Sequence, residues 1–223
     1  MSKYNFRIDR IDPATAYGQV LMRVKPGSTV LECGCATGYM TKYLKEQMGC
    51  TVDIVEVDYD AFKIAEQYAR QGVFASLDGP AWFMPLHEKL YEYILFADVL
   101  EHLKDPMLAL TQAKDLLDDG GKIIVSIPNV CHNDVVLNMI DGKFPYTKYG
   151  LLDDTHIHFW GRDDFEQMCQ VAGLRVTDVG RVFMKTGTTE QMPDLRKVGQ
   201  TALNVMKARP DGEVYQWIFV LER

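Results

Sequence analysis

Residues 30–38, Val30-Leu31-Glu32-Cys33-Gly34-Cys35-Ala36-Thr37-Gly38, constrain the fold more than any other stretch of the chain. An apolar strand ends in an acid and passes through a glycine-spaced turn into Tyr39-Met40-Thr41-Lys42-Tyr43-Leu44, which reads as a helix. Glycine tolerates left-handed backbone and lets a ligand lie directly on the main chain. A strand, glycine turn and helix at the carboxyl end of a parallel sheet form a standard crevice for a nucleotide-like ligand, although such turns also serve only as connections.

A second strand, Thr51-Val52-Asp53-Ile54-Val55-Glu56-Val57, runs into Asp58, 20 residues beyond Gly38. An acid at that distance is placed to accept hydrogen bonds from ribose hydroxyls. The turn does not have the dinucleotide form. Its pattern is G-x-A-x-G, and Glu32 precedes it. A pyrophosphate needs close backbone approach at a helix N-terminus and would be repelled by Glu32. A ligand carrying an ammonium and a sulfonium would be attracted.

Later segments extend the pattern. Phe74-Ala75-Ser76-Leu77-Asp78 and Tyr93-Ile94-Leu95-Phe96-Ala97-Asp98-Val99-Leu100-Glu101-His102-Leu103 follow in order, and the resemblance named below makes them the third strand and the fourth strand with its turn. Gly120-Gly121-Lys122-Ile123-Ile124-Val125-Ser126-Ile127-Pro128-Asn129 supplies a turn and fifth strand. With these four motifs in order, the chain resembles the class I S-adenosylmethionine-dependent methyltransferases over most of its length. Glu32–Gly38 is similar to that family's [DE]-x-G-x-G-x-G motif, with Ala36 in place of the middle glycine. The resemblance implies an α/β fold: a Rossmann-like, seven-stranded, mostly parallel sheet with helices on both faces and a cap after the fifth strand. It implies S-adenosylmethionine as cofactor, held by Glu32, Gly34, Cys35, Gly38, Asp58, Tyr59, Asp78 and Ala97, with Asp78 near the adenine amine.

At 223 residues, the expectation is one domain. It divides into an N-terminal helix segment (1–27), a cofactor-binding core (28–129), a substrate cap (130–162) and a C-terminal part of the sheet (163–223) with an insertion at 185–212. No run of about 18 apolar residues predicts a membrane span, and no charged-then-apolar leader predicts a signal peptide. Five cysteines without a C-x-x-C pair argue against a disulfide framework and for a reduced, cytoplasmic protein. The net charge of −7 gives no basic face for nucleic acid, so a small-molecule or saccharide substrate is expected.

Strands alternate with helices, the signature of a parallel sheet. Asp12-Pro13 is expected to open the first helix, with Ala16, Tyr17, Val20, Leu21 and Val24 as its apolar stripe. Asp105-Pro106 opens a helix carrying Met107, Leu110 and Leu117, and Asp163 with Glu166 reads as a capping box. Val176–Val182 and Val214–Leu221 read as the last two strands. Within the insertion, Leu195, Val198, Ala202 and Val205 predict a helix packed on the core or forming a homodimer contact.

The segment after the fifth strand holds His132, Phe144, Tyr146, Tyr149, His156, His158, Phe159 and Trp160. As a segment it is expected to cap the acceptor, although any one of these rings could simply pack the loop. Leu151–Trp160 resembles an "LLDxTHxRFFT" stretch in methyltransferases that accompany glycosyltransferases in polysaccharide and natural-product sugar pathways. His158 stands where those sequences carry arginine. O-methylation of a small-molecule or saccharide acceptor is therefore the leading expectation. Nitrogen or carbon methylation, or a cofactor-binding relative with another role, is the alternative.

A hydroxyl acceptor must lose a proton, and histidine titrates in the range suited to that task. His156, His102 and then His158 are the catalytic candidates; His132 is a reserve, and His87 is expected to be solvated. Asp98, Glu101 and His102 follow i, i+3, i+4 spacing and would share a face of a helical turn, with His156 or His158 as a distal ligand. That set is similar to metal sites in small-RNA 2′-O-methyltransferases and ubiquinone-pathway O-methyltransferases. The same Leu-Glu-His also occurs in relatives that use no metal, and a divalent ion is not the favoured expectation.

Overall fold

A computed structural model describes residue 8 and residues 10–223; residues 1–7 and 9 of the expected N-terminal segment lie outside the described residues. Helix α1 (Ala16–Leu21) opens one turn later than Asp12-Pro13 predicts, capped by Thr15, whose Oγ1 accepts from the Gly18 amide at 3.2 Å. Asp12 is instead spent on the preceding turn. Its carboxylate accepts from the Ala14 amide, and its carbonyl accepts from the Thr15 amide and hydroxyl. Gly18 lies against that turn: a Cβ there would sit 1.8 Å from the Asp12 carbonyl oxygen. Gly18→Ala is therefore expected to cost about 1–3 kcal/mol, the usual penalty of overpacking. An unchanged urea midpoint would contradict this account of the turn.

The chain then alternates through β1 (Thr29–Cys33), α2 (Tyr39–Glu46), β2 (Thr51–Glu56), α3 (Tyr59–Ala65), β3 (Gln71–Phe74) and β4 (Tyr91–Ala97). Helix α4 (Pro106–Asp115), β5 (Leu117–Pro128), α5 (Asn133–Ile140), α6 (Arg162–Val171), β6 (Arg175–Phe183), α7 (Gln200–Ala208) and β7 (Val214–Glu222) complete it. The seven strands order as β3-β2-β1-β4-β5-β7-β6, parallel through β5, with β7 antiparallel to both its neighbours. Successive side chains on the buried strands enter opposite layers. Leu31, Cys33, Ile94 and Phe96 pack on one face, and Val30, Ile54, Leu95 and Ile124 on the other.

Between the parallel strands β1 and β4 the order in which the chain adds strands to the sheet reverses, so a crevice opens outside their carboxyl ends. The expected third strand at 74–78 is displaced: β3 ends at Phe74, and 75–78 run past its end along the crevice. Helix α4 is capped by Asp105 as predicted, but Met107 is exposed and Leu117 belongs to β5. At α6 the cap is Gly161 rather than Asp163; Glu166 pairs with Arg162 one turn back, at 2.7 Å, instead of reaching the cap.

The segment after β5, expected as a loop-like cap, contains helix α5. In α5, the fully buried Asp134 accepts from the amides of Gly187 and Thr189 and from the Thr189 hydroxyl. Glu190 accepts from the Leu151 amide and the Tyr215 hydroxyl. These carboxylates tie the insertion to the cap. The predicted apolar stripe of the insertion is broken at Gly199. Helix α7 begins only at Gln200, Val205 is exposed, and Met206 is its buried residue. Among the described residues, no helix is long and apolar enough to cross a membrane.

Candidate active site

A cavity of about 510 Å³ fills the crevice between β1 and β4. Its floor is the turn after β1, where Gly34, Ala36 and Gly38 all have positive φ, at 73°, 49° and 77°. Ala36 therefore keeps the left-handed conformation of the glycine it replaces, which costs an L-residue on the order of 1 kcal/mol. Its amide donates to Glu56 Oε2 at 2.7 Å, which holds the strained turn in place. A Cβ on Gly34 would lie 2.6 Å from Val99 Cγ2, and one on Gly38 would lie 2.9 Å from Ala65 Cα. Both glycines are thus needed for packing against the protein itself.

Glu56, the last residue of β2, is the site residue that the spacing rule missed. Its Oε1 accepts from the amides of Val57 and Asp58, so the carboxylate is fixed at the strand end beside the turn. Asp58 also borders the cavity, but its Oδ1 accepts from the Ala61 amide at 2.9 Å as the N-cap of α3. The available signal was strand position: Glu56, not Asp58, ends the buried run of β2.

The other expected cofactor residues divide. Gly34, Asp78 and Ala97 line the cavity, and Asp78 Oδ1 accepts from the Lys104 and Asp105 amides, tying its loop to the start of α4. Cys35 and Glu32 are buried behind the turn, while Tyr59 points to the surface against Phe74. Gly38 is the left-handed cap of α2. Glu32 accepts from Thr41 Oγ1 at 2.6 Å, and its Oε1 finds no partner. Burial pushes its carboxyl up to about 8; the Thr41 hydrogen bond opposes the rise and nearby Glu56 adds to it. Folded protein therefore holds a proton there that the unfolded chain releases above its ordinary value of 4.5. Stability should fall as pH rises from about 4.5 to 8 and level off beyond. Glu32→Gln is expected to make that slope shallower in urea unfolding; an unaltered slope would mean the acid is ionised in the fold.

The far end of the cavity is built by the turn after β4. Asp98 has a positive φ of 54°, so the backbone turns there before the 3-10 turn Leu100–His102 begins. This breaks the helical face that would have grouped Asp98 with Glu101 and His102. The Asp98 carboxylate opens on the cavity and accepts from Ser126 Oγ at 2.8 Å and Gln216 Nε2 at 2.9 Å. Enclosure by protein pushes it up, against those two hydrogen bonds.

His102 lines the cavity, and the His156 ring stands edge-on to it at 4.7 Å. Burial and the neighbouring His102 push His156 down to about 4, so it is neutral at pH 7. Glu101 is buried below both, and burial holds its carboxyl well above the usual range. Its main-chain carbonyl accepts from the amides of Ile157 and His158, clamping the cap to the 3-10 turn. His158 does not join the pair; it stacks on Trp160 at 5.1 Å. His132 is no reserve base. It is fully buried, caps α5 through Nδ1 and bonds the Met184 carbonyl through Nε2. His87 is exposed, as expected.

Among the described residues, the cavity lining carries Glu56, Asp58, Asp78 and Asp98 and no lysine or arginine. Those carboxylate acceptors suit a ligand with vicinal hydroxyls and a cationic end, and oppose a pyrophosphate. Sheet order and crevice together define a class I S-adenosylmethionine-dependent methyltransferase. The chain belongs to the methyltransferase domain family, whose sequence profile matches residues 9–179. A demethylmenaquinone methyltransferase of Staphylococcus carnosus is 23% identical over 174 residues, 71% of this chain and 72% of its own length. Among solved structures, an S-adenosylmethionine-dependent methyltransferase from Archaeoglobus fulgidus superposes with a TM-score of 0.63 at 14% identity, covering 92% of this chain and 90% of its own. Magnesium protoporphyrin IX methyltransferase from Synechocystis, with bound S-adenosylhomocysteine, superposes with a TM-score of 0.55 at 19% identity, covering 89% and 75%.

Proposed function

We propose that the protein methylates a hydroxyl oxygen of a small-molecule or saccharide acceptor. The observation that carries this reading is the His102–His156 pair, which stands where the cofactor cavity meets the cap. When bound, S-adenosylmethionine supplies an electrophilic methyl group on a sulfonium. Glu56 would accept from the ribose hydroxyls, since its carboxylate is already aimed by three backbone amides. Asp78, with Ala75 and Leu77, borders the side expected to take the base, and Asp98 the cationic end. The cap holds the acceptor against His156, whose ring adjoins Phe159, itself packed by Phe144 and Tyr146. Catalysis then rests on alignment for in-line displacement and on removal of the hydroxyl proton at the histidine pair.

A second reading, methylation of a ring carbon of a quinone-type acceptor, draws on the demethylmenaquinone methyltransferase similarity. The two separate in one experiment. Protein supplied with trideuteromethyl-labelled cofactor and a panel of saccharide, phenolic and quinone acceptors should give labelled methyl ethers, located by NMR. Label found only on carbon or nitrogen would overturn the oxygen reading.

A further inference from the structure

The outer edge of the cap is apolar and uncovered. Met139 and Ile140 at the end of α5, then Phe144, Tyr146 and Tyr149, are exposed, and Met192 of the insertion is 73% exposed. Polar ties beneath draw these three segments together. Asn138 Nδ2 donates to the Gln191 carbonyl at 3.0 Å, and Gln191 Nε2 donates to Thr147 Oγ1 at 3.4 Å. The Lys143 amide donates to the Asn138 carbonyl at 2.8 Å, folding the loop back on the helix end. A single exposed apolar residue is ordinary, but a contiguous group marks an interaction site. Met192 is held there with a positive φ of 33°, a conformation costly for any residue but glycine.

This edge is continuous with the site. The Phe144 and Tyr146 rings meet at 5.4 Å, and they pack on Phe159 at 5.6 and 6.3 Å. Phe159 adjoins His156 at 6.2 Å, and His156 adjoins His102 at 4.7 Å. An unbroken run of rings therefore leads from solvent to the mouth of the cofactor cavity. The charges along the edge are already matched: Lys143 pairs with Asp141, Lys148 with Asp154 and Arg196 with Asp194. A partner recognised through its own charge gains little here; one recognised through uncharged apolar surface gains most.

We propose that the acceptor is an amphiphile whose uncharged alkyl-type chain runs from the histidine pair over Phe159 and lies on the apolar edge formed by Ile140, Tyr146 and Met192. The chain removes those side chains from water while the head reaches the histidines. That the head reacts through a hydroxyl rests on the oxygen-methylation reading; the seat of the chain does not.

The test is equilibrium dialysis of the full-length protein, saturated with S-adenosylhomocysteine, against phenol, 4-butylphenol and 4-octylphenol. Wild-type affinity is expected to rise roughly tenfold or more from butyl to octyl, because each methylene buried strengthens binding about two- to fourfold. Ile140→Asp and Met192→Asp should each cut that gain by about threefold or more while binding phenol as wild type does. Tyr146→Ala should cut it as well. Val171→Asp, at an exposed position on α6, should keep the full gain. Affinity independent of chain length, or a gain unaltered in the edge variants, would overturn the proposal. So would sedimentation showing a wild-type dimer that Ile140→Asp splits, since a second copy would then cover the edge. Chain-dependent binding with methyl delivered only to carbon would sink the oxygen reading and leave the seat standing. Methyl ethers formed with the same KM on phenol and 4-octylphenol would do the reverse.

Discussion

His156→Ala is expected to lower the rate of methyl transfer by a factor of about 10²–10⁴, the range for loss of a group that handles a proton in the transition state. Cofactor affinity should stay near wild type, because His102, not His156, lines the cofactor cavity. The effect should be read as S-adenosylhomocysteine release on whichever acceptor the labelling experiment identifies. Raising the pH should restore part of the rate, since the acceptor hydroxyl then loses its proton unaided. A variant with full turnover would show that alignment alone carries catalysis. One that fails only by losing the cofactor would place His156 on the wrong side of the site.

The second large effect concerns Glu56. Its carboxylate anchors Ala36, Val57 and Asp58 through their amides while facing the cavity. Glu56→Ala removes both the ribose acceptor and the hydrogen bond that keeps Ala36 in its left-handed state. Hydrogen bonds to charged groups contribute about 1.5–3 kcal/mol, so cofactor affinity should fall roughly 10- to 100-fold. Asp58→Ala should act differently: loss of an N-cap costs about 1 kcal/mol of stability, with affinity nearly unchanged.

Much of this architecture is legible from residues alone, and the failures have physical causes. Buried strands announce themselves as apolar runs, and the seven-stranded, mostly parallel sheet follows the resemblance; the antiparallel direction of β7 is visible only in the fold. The glycine turn is equally plain, because few other sequences tolerate left-handed backbone at 34 and 38. Errors concentrate where one polar side chain had several uses. Asp12 and Asp163 are both good capping residues, and neighbouring backbone groups decided which cap formed. Helical spacing groups Asp98 with Glu101, but Asp98 is itself left-handed, so the chain turns before the 3-10 turn begins. Helix α5 was hidden in a segment read as loop; its anchor, Asp134, finds partners 53 and 55 residues away at Gly187 and Thr189. His102 and His156 meet because the segments that carry them follow the adjacent strands β4 and β5.

The arrangement of the cofactor site is tested most directly by calorimetric titration of wild type, Glu56→Ala and Asp58→Ala with S-adenosylhomocysteine, alongside thermal melts of each. Wild type should bind one equivalent. Glu56→Ala should lose roughly 10- to 100-fold in affinity, and Asp58→Ala should melt lower yet bind within a few-fold of wild type. The reverse pattern, with affinity lost at Asp58 and retained at Glu56, would contradict the account and return the ribose to the helix cap.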